Sequence, residues 1–214
     1  MDFGLLMDAG VNAAFQNFFS PATLVFSAMV VLDTQPWYLL LISIIYFGLH
    51  PRYGIRLAVL LGLTSGLNEA LKLFFHSPRP YWVSTSVKAF SAHSSFGLPS
   101  GAAMYGVVVY GYIAAAIRRW WAYLICMVLL TCTCLARIFA GIHFSLDIIG
   151  GFCFGLIILL AYLVFGQKID AWAGKLSRPA RIAVIILVAA IPVCLAVPAQ
   201  LSLAGWQVPA AWIE

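Results

Sequence analysis

Long apolar runs, broken by short clusters of charge, organise this chain. Runs at about 54–76, 100–117, 120–140, 144–166 and 180–198 each approach the roughly 20 residues that cross a bilayer as a helix. A further run over 22–49 is interrupted by Asp33-Thr34-Gln35-Pro36. It predicts one span whose outer end is broken or kinked near Pro36. Residues 1–20 are too polar to span, but Leu5, Leu6, Val11, Phe15, Phe18 and Phe19 could share one broad face. That pattern predicts a helix lying in the membrane interface. The expected fold is all-α: a polytopic membrane helical bundle of about six transmembrane helices, preceded by the interfacial helix. Residues 1–214 form one domain, with no internal repeat and no low-complexity tract.

Composition supports the membrane assignment. The chain is 64% hydrophobic and 9% charged, against about 25% charged in soluble domains. A soluble protein of this size has no interior large enough for so much apolar surface, so much of it must face lipid. Cys126, Cys132, Cys134, Cys153 and Cys194 all lie in apolar stretches, and Cys132 and Cys134 point to different helix faces. Neither a zinc site nor a disulfide framework fits, and small buried hydrophobes are expected.

The net charge is +5, from 12 Lys and Arg against 7 Asp and Glu. No basic patch is interleaved with aromatics in the manner of a nucleic-acid surface, so nucleic acid is not an expected partner. Arg52 and Arg56, Arg118 and Arg119, and Lys168, Lys175, Arg178 and Arg181 fall in three short loops on one side. The positive-inside rule makes that side cytoplasmic. Lys72, Arg79, Lys88 and Arg137 fall on the other side, against the bias. Trp37, Tyr38, Tyr81 and Trp82 fit an aromatic belt there. The first charges are Asp2 and Asp8, so no basic leader region is apparent, and the apolar segments are expected to serve as insertion signals.

Charge at the ends of apolar spans is costly and calls for a reason. Three clusters face the outer side. Lys72 lies near the end of the second span, and Pro78 and Pro80 fix the direction of Arg79. Two converging cations suit a phosphate, although both could equally snorkel to lipid headgroups. Pro99-Ser100-Gly101-Ala102 opens the third span. A helix start with Ser and Gly offers backbone N–H groups to a phosphate, or is an ordinary N-cap. Arg137 ends the fourth span, and His143 and Asp147 open the fifth, four residues apart on one helical face. The carboxylate could orient the imidazole as a nucleophile, or the pair could simply bind two helices together.

As a set, these residues resemble the type 2 phosphatidic acid phosphatase superfamily, which also includes the vanadium haloperoxidases. That pattern reads Lys, six residues, Arg-Pro; then Pro-Ser-Gly-His; then Ser-Arg, five residues, His, three residues, Asp. It is matched at Lys72, Arg79, Pro80, Pro99, Ser100, Gly101, Arg137, His143 and Asp147, within a catalytic core of roughly 54–166. The resemblance implies that His143 attacks phosphorus and Asp147 orients it. It implies that Lys72, Arg79, Ser100, Gly101 and Arg137 bind the phosphoryl oxygens, with no metal and no cofactor.

Two positions depart from the pattern. Ala136 replaces a frequent Ser, and Ala102 stands where the family has its acid histidine. General acid–base help is worth about 10²–10⁴-fold, so a low-activity chain is expected. An engineered inactivating substitution is the preferred explanation of Ala102, with a natural pseudoenzyme as the alternative. The implied activity is hydrolysis of a lipid phosphate or diphosphate at the extracytoplasmic face of the cell (inner) membrane. Undecaprenyl-type diphosphate, phosphatidylglycerol phosphate, phosphatidic acid and lipid A phosphate are the candidate substrates. A lipid phosphotransferase and a non-catalytic lipid-phosphate binder or transporter remain alternatives. The soluble haloperoxidase branch does not suit so apolar a chain.

Overall fold

Helix ends follow the local chemistry of the chain in this computed structural model, which describes residues 8–207 and Trp212. Asp8 caps α1 (Ala9–Phe18), its carboxylate accepting the Gly10 N–H at 2.7 Å. A short 3-10 turn leads into α2 (Thr23–Met29), and a second, Val30–Asp33, carries the chain to Thr34. Thr34 is extended, and Pro36 sits in the first turn of α3 (Gln35–Ser43), where its missing N–H costs nothing. α3 passes through a π-helical segment into α4 (Pro51–Phe75), which ends on a left-handed His76 at φ 39°. After the one-turn α5 (Pro80–Val83) come α6 (Gly101–Ile117), α7 (Trp120–Phe139), α8 (Ser145–Gly174) and α9 (Arg178–Ser202). The described residues contain no strand, as expected of an all-α membrane bundle.

α6 is the axis of the bundle, packing on α4, α7 and α8, while α9 packs on α4. Val107, Val108, Val109, Tyr110 and Tyr112 from α6 meet Leu57 and Leu60 from α4 and Leu130 from α7 in the core. α8 approaches α6 through Gly151 and Gly155. A Cβ on Gly155 would come within 2.8 Å of the Met104 carbonyl, and one on Gly151 within 2.9 Å of the Ala103 Cβ. In lipid, where apolar contact alone does not drive helices together, such close backbone approach supplies the packing.

Four helical segments are long and apolar enough to cross a membrane: Pro51–Val83, Trp120–Phe139, Ser145–Gly174 and Arg178–Ser202. α1 and Ser20–Asp33 would make a fifth if counted as one span broken by a 72° bend. The expectation of about six counts α6 and the run ending at residue 49, which are shorter: Gly101–Ile117 and Gln35–Gly48. α6 spans only about 25 Å at 1.5 Å per residue; most of its surface is covered by other helices rather than by lipid.

Two expectations need correction. The run over 22–49 breaks beside Pro36 as expected, but it is not one spanning helix. The extended Thr34 divides it, so α2 packs on α7 while α3 packs on α4. The apolar residues of the N-terminal helix divide between two faces. Phe15 and Phe19 do pack against Phe26, Ala136 and Phe139. Val11 and Phe18, however, are 46% and 78% exposed, while the polar Asn12 and Gln16 are buried. Leu5 and Leu6 lie outside the described residues. Among the cysteines, Cys126 is buried but Cys153 and Cys194 lie on exposed faces, and all five are free thiols.

Candidate active site

The three charged clusters converge at one end of the bundle. Asn68 on α4 donates to the Pro99 carbonyl at 3.1 Å, tying the end of α4 to the start of α6. The Ser100 N–H donates to the Asp147 carbonyl at 2.9 Å, tying the start of α6 to the start of α8. At the far end, Arg56 at the start of α4 pairs with Asp170 near the end of α8. Lys72, Arg79, Ser100, Gly101, Ala102, Arg137, His143 and Asp147 are all buried.

His143 lies in the short connection between α7 and α8. Its Nδ1 is 3.3 Å from Asp147 Oδ2, which also accepts the Phe144 N–H at 2.9 Å. That second bond is half of a capping box, and it fixes the carboxylate at the helix start. Gly97 leaves room for this arrangement, since a Cβ there would lie 2.9 Å from Asp147 Oδ2 and 2.6 Å from the Pro78 carbonyl. Burial pushes the His143 pKa well below its ordinary value of 6.5, and the charges of Arg79, Arg137 and Lys72 push it the same way. The ring is therefore neutral at pH 7, with Nδ1–H free to donate to the carboxylate and Nε2 carrying a lone pair.

The cations differ in how they are held. Lys72 Nζ donates to Glu69 Oε1 at 2.8 Å, one turn back on α4. Glu69 is half exposed, so this pair holds Lys72 only loosely. Arg137 forms a buried ion pair with Asp33, and the Tyr38 hydroxyl donates to the same carboxylate at 2.9 Å. Arg79 is 2% exposed and acts mainly as a clamp. Its Nε donates to the Ser95 carbonyl at 2.7 Å, and its guanidinium nitrogens donate to the Ile142 and Phe96 carbonyls and to Ser95 Oγ at 2.9, 3.2 and 3.0 Å. These four bonds leave one of the five arginine N–H groups for another acceptor.

Ser100 stands at the N-cap of α6, but its side chain makes no capping hydrogen bond. Its Oγ is buried and, like Arg137 Nε, makes no hydrogen bond among the described residues. A buried polar group without a partner costs about 1–3 kcal/mol. Two such donors among the charged residues at this end of the bundle suit an anion. Ala102 follows in the first turn of α6, its methyl group 3% exposed and without proton-transfer chemistry. Of the remaining histidines, His50 caps the far end of α4. His93 is exposed near the site, and partial desolvation together with Arg79, Arg137 and Lys72 brings its pKa down to about 4.

Sequence reasoning treated Asp33 only as a chain break, and passed over Asn12, Gln16 and Asn68. An acid inside a 28-residue apolar run was the available signal for Asp33. The buried amides carried no comparable signal.

Two cavities adjoin the site along α4 and α9. One of about 380 Å³ is lined by Glu69, Lys72, Phe96 and Trp206, among others. The other, about 540 Å³ and almost wholly apolar, is lined by Leu71, Phe74, Phe154, Leu195 and neighbouring residues.

Comparison with known proteins agrees with this architecture. Over 131 residues the chain is 28% identical to phosphatidylglycerophosphatase B of Bacillus subtilis (strain 168), covering 57% of this chain and 62% of that protein. Over 145 residues it is 28% identical to sphingosine-1-phosphate phosphatase 1 of Rattus norvegicus, covering 65% of this chain and 34% of that protein. The chain thus spans less than two thirds of the length of these relatives. A similar fold occurs in the crystal structure of a transmembrane PAP2-type phosphatidylglycerolphosphate phosphatase from Bacillus subtilis. The TM-score is 0.62 at 24% identity, covering 75% of this chain and 86% of that one. The PAP2 superfamily profile matches residues 53–171, from the start of α4 to near the end of α8, and the chain belongs to that superfamily.

Proposed function

We propose that this protein is a multi-pass membrane phosphatase acting on a lipid phosphate or diphosphate through a phosphohistidine on His143. The observation that carries the reading is a neutral, Asp147-anchored imidazole surrounded by Lys72, Arg79 and Arg137. His143 Nε2 attacks phosphorus, the bond from phosphorus to the lipid oxygen breaks, and the leaving oxygen takes a proton from solvent, because Ala102 has none to give. Water then attacks the phosphohistidine, the N–P bond breaks, and inorganic phosphate leaves. Phosphoryl transfer asks mainly for positioning and charge stabilisation. Lys72, Arg79, Arg137, Ser100 Oγ and the first-turn amides of α6 provide both, so three protein cations carry the charge. The apolar cavity lined by Leu71, Phe74 and Leu195 suits a lipid tail running along α4 and α9. The basic loops at the opposite end of the bundle support a site on the extracytoplasmic face.

Ala102 favours a second reading, a non-catalytic lipid-phosphate binder. One experiment separates the two. An aryl phosphate such as p-nitrophenyl phosphate has a leaving group that needs no acid. The chain with Ala102 should therefore accumulate an acid-labile, alkali-stable phosphohistidine from it, and His143→Ala should not. If neither this chain nor Ala102→His forms a phosphoenzyme or releases phosphate, the binder reading stands instead.

A further inference from the structure

The N-terminal helix reaches the nucleophile through two buried amides. Asn12 is 2% exposed, and its Nδ2 donates to the Ile138 carbonyl at 3.1 Å and to the His143 carbonyl at 3.0 Å. It thereby bridges the connection from α7 to α8. One turn later, Gln16 Nε2 donates to the carbonyls of Phe139 and Lys88, each at 2.7 Å, and its Oε1 accepts the Lys88 N–H at 3.0 Å. The connection turns at Gly141, φ 71°, where a Cβ would lie 2.9 Å from Gln16 Nε2. Of these two inward-facing amides, Gln16 ties the helix to the end of α7 and to Lys88, and Asn12 donates to the segment that carries His143.

We infer that Asn12 is a positioning residue for the phosphatase chemistry: its carboxamide holds the His143 backbone so that the imidazole stays aimed at the phosphoryl group. The inference rests on the function proposed above. Other restraints on this segment are the Asp147 contact to the ring, the Phe144 N–H bond to Asp147 Oδ2, which orients the peptide following His143, and the Arg79 bond to the Ile142 carbonyl. Asn12 is the group that donates to the His143 carbonyl itself. Removing Asn12 leaves the His143 carbonyl without its donor, while the Ile138 carbonyl keeps the Gly141 N–H at 3.0 Å, and the segment that carries His143 relaxes. A shift of about 1 Å at a reacting atom can cost about 10²-fold in rate.

The test uses the full chain in detergent, with p-nitrophenyl phosphate for phosphohistidine formation and orthovanadate for anion binding. In Asn12→Ala, the rate constant of phosphohistidine formation per folded molecule should fall about 10- to 100-fold. The orthovanadate Kd should change by no more than about 3-fold, because no cation has moved. A purely structural Asn12 would lower the folded fraction and leave the rate per folded molecule unchanged, which overturns the inference. Asn12→Asp covers the case in which Asn12→Ala does not fold. Protonated, the new carboxyl donates one hydrogen bond; ionised, it repels both carbonyls. The rate should then acquire a new limb falling with rising pH, and a profile like that of the parent overturns the inference. If the unchanged chain and Ala102→His both fail to form phosphohistidine, the phosphatase reading falls and the role of Asn12 falls with it. Phosphohistidine in those two chains with no change in the Asn12 variants removes Asn12 alone.

Discussion

Asp33, at the break in the first apolar run, is the buried counter-ion of Arg137 at the end of α7. The pair links Arg137, a proposed phosphate ligand, to a part of the chain outside the 53–171 match to the superfamily. With Tyr38 donating to the same carboxylate, Asp33 holds one edge of the guanidinium and leaves Nε unengaged beside the site. Removing one partner of a buried pair typically costs about 3–5 kcal/mol, because the other charge is stranded. Asp33→Asn should therefore lower the thermal midpoint in detergent strongly. The double variant Asp33→Asn/Arg137→Met, which strands no charge, should recover much of that loss. Additive losses in the double-mutant cycle would show that the two residues do not act as a pair.

The low pKa of His143 has a consequence for pH. An ordinary histidine is half protonated near pH 6.5 and loses half its nucleophilicity there. His143 sits well below that value, so phosphohistidine formation from p-nitrophenyl phosphate should stay level as pH falls through 6.5 and decline only at lower pH. The same shift acts on stability. The folded state binds its proton later than the unfolded state as pH falls. The contribution of His143 is therefore present above about pH 6.5 and is lost as pH drops from there toward the folded pKa. A rate profile with its midpoint at 6.5 would mean that the imidazole is not held neutral by the burial and cations described above.

The contact between α6 and α8 sets the position of Ser100. Gly151 faces the Ser100 carbonyl and the Ala103 methyl. Gly151→Leu has no space to occupy without pushing the helices apart, and overpacking of this kind costs about 1–3 kcal/mol. Because the displaced segment begins at Ser100, orthovanadate binding should weaken along with stability. Gly174→Leu, at the far end of α8 with open space around it, should alter neither. Equal effects of the two substitutions would show that the close approach does not matter.

The hydrophobic pattern made most of α4, α7, α8 and α9 legible, because long apolar runs bounded by charge have few alternatives in lipid. The spacing of Lys72, Arg79, Ser100, Arg137, His143 and Asp147 identified the superfamily and brought the residues to one end of the bundle. The N-terminal region was harder to read. Periodicity reports which residues are apolar, and on α1 it grouped Val11 and Phe18 with Phe15 and Phe19, although the four do not share a face against protein. The roles of Asn12 and Gln16 depend on carbonyls more than 70 residues away in sequence, and no local pattern encodes that distance. Arg79 shows the opposite limit. Its motif was plain, yet its bonds to Ser95, Phe96 and Ile142 give it a structural role that spacing alone does not disclose.

Ala102 makes a specific claim about leaving groups. Without an acid at that position, the oxygen that leaves with the lipid must depart with little protonation. An alkoxide leaving a lipid monophosphate is strongly basic, whereas a phosphate monoester leaving a lipid diphosphate is not. The chain with Ala102 should therefore release phosphate from a prenyl diphosphate faster than from phosphatidic acid, when both are presented in mixed micelles at equal surface concentration. Ala102→His should raise the phosphatidic acid rate by about 10²–10⁴-fold, the usual worth of a general acid, and the diphosphate rate by much less. The preference between the two lipids should narrow accordingly. Equal acceleration of both substrates would mean that position 102 acts at a step they share, namely water attack on the phosphohistidine. No acceleration of either, in a protein that still binds orthovanadate, would place the protein among lipid-phosphate binders.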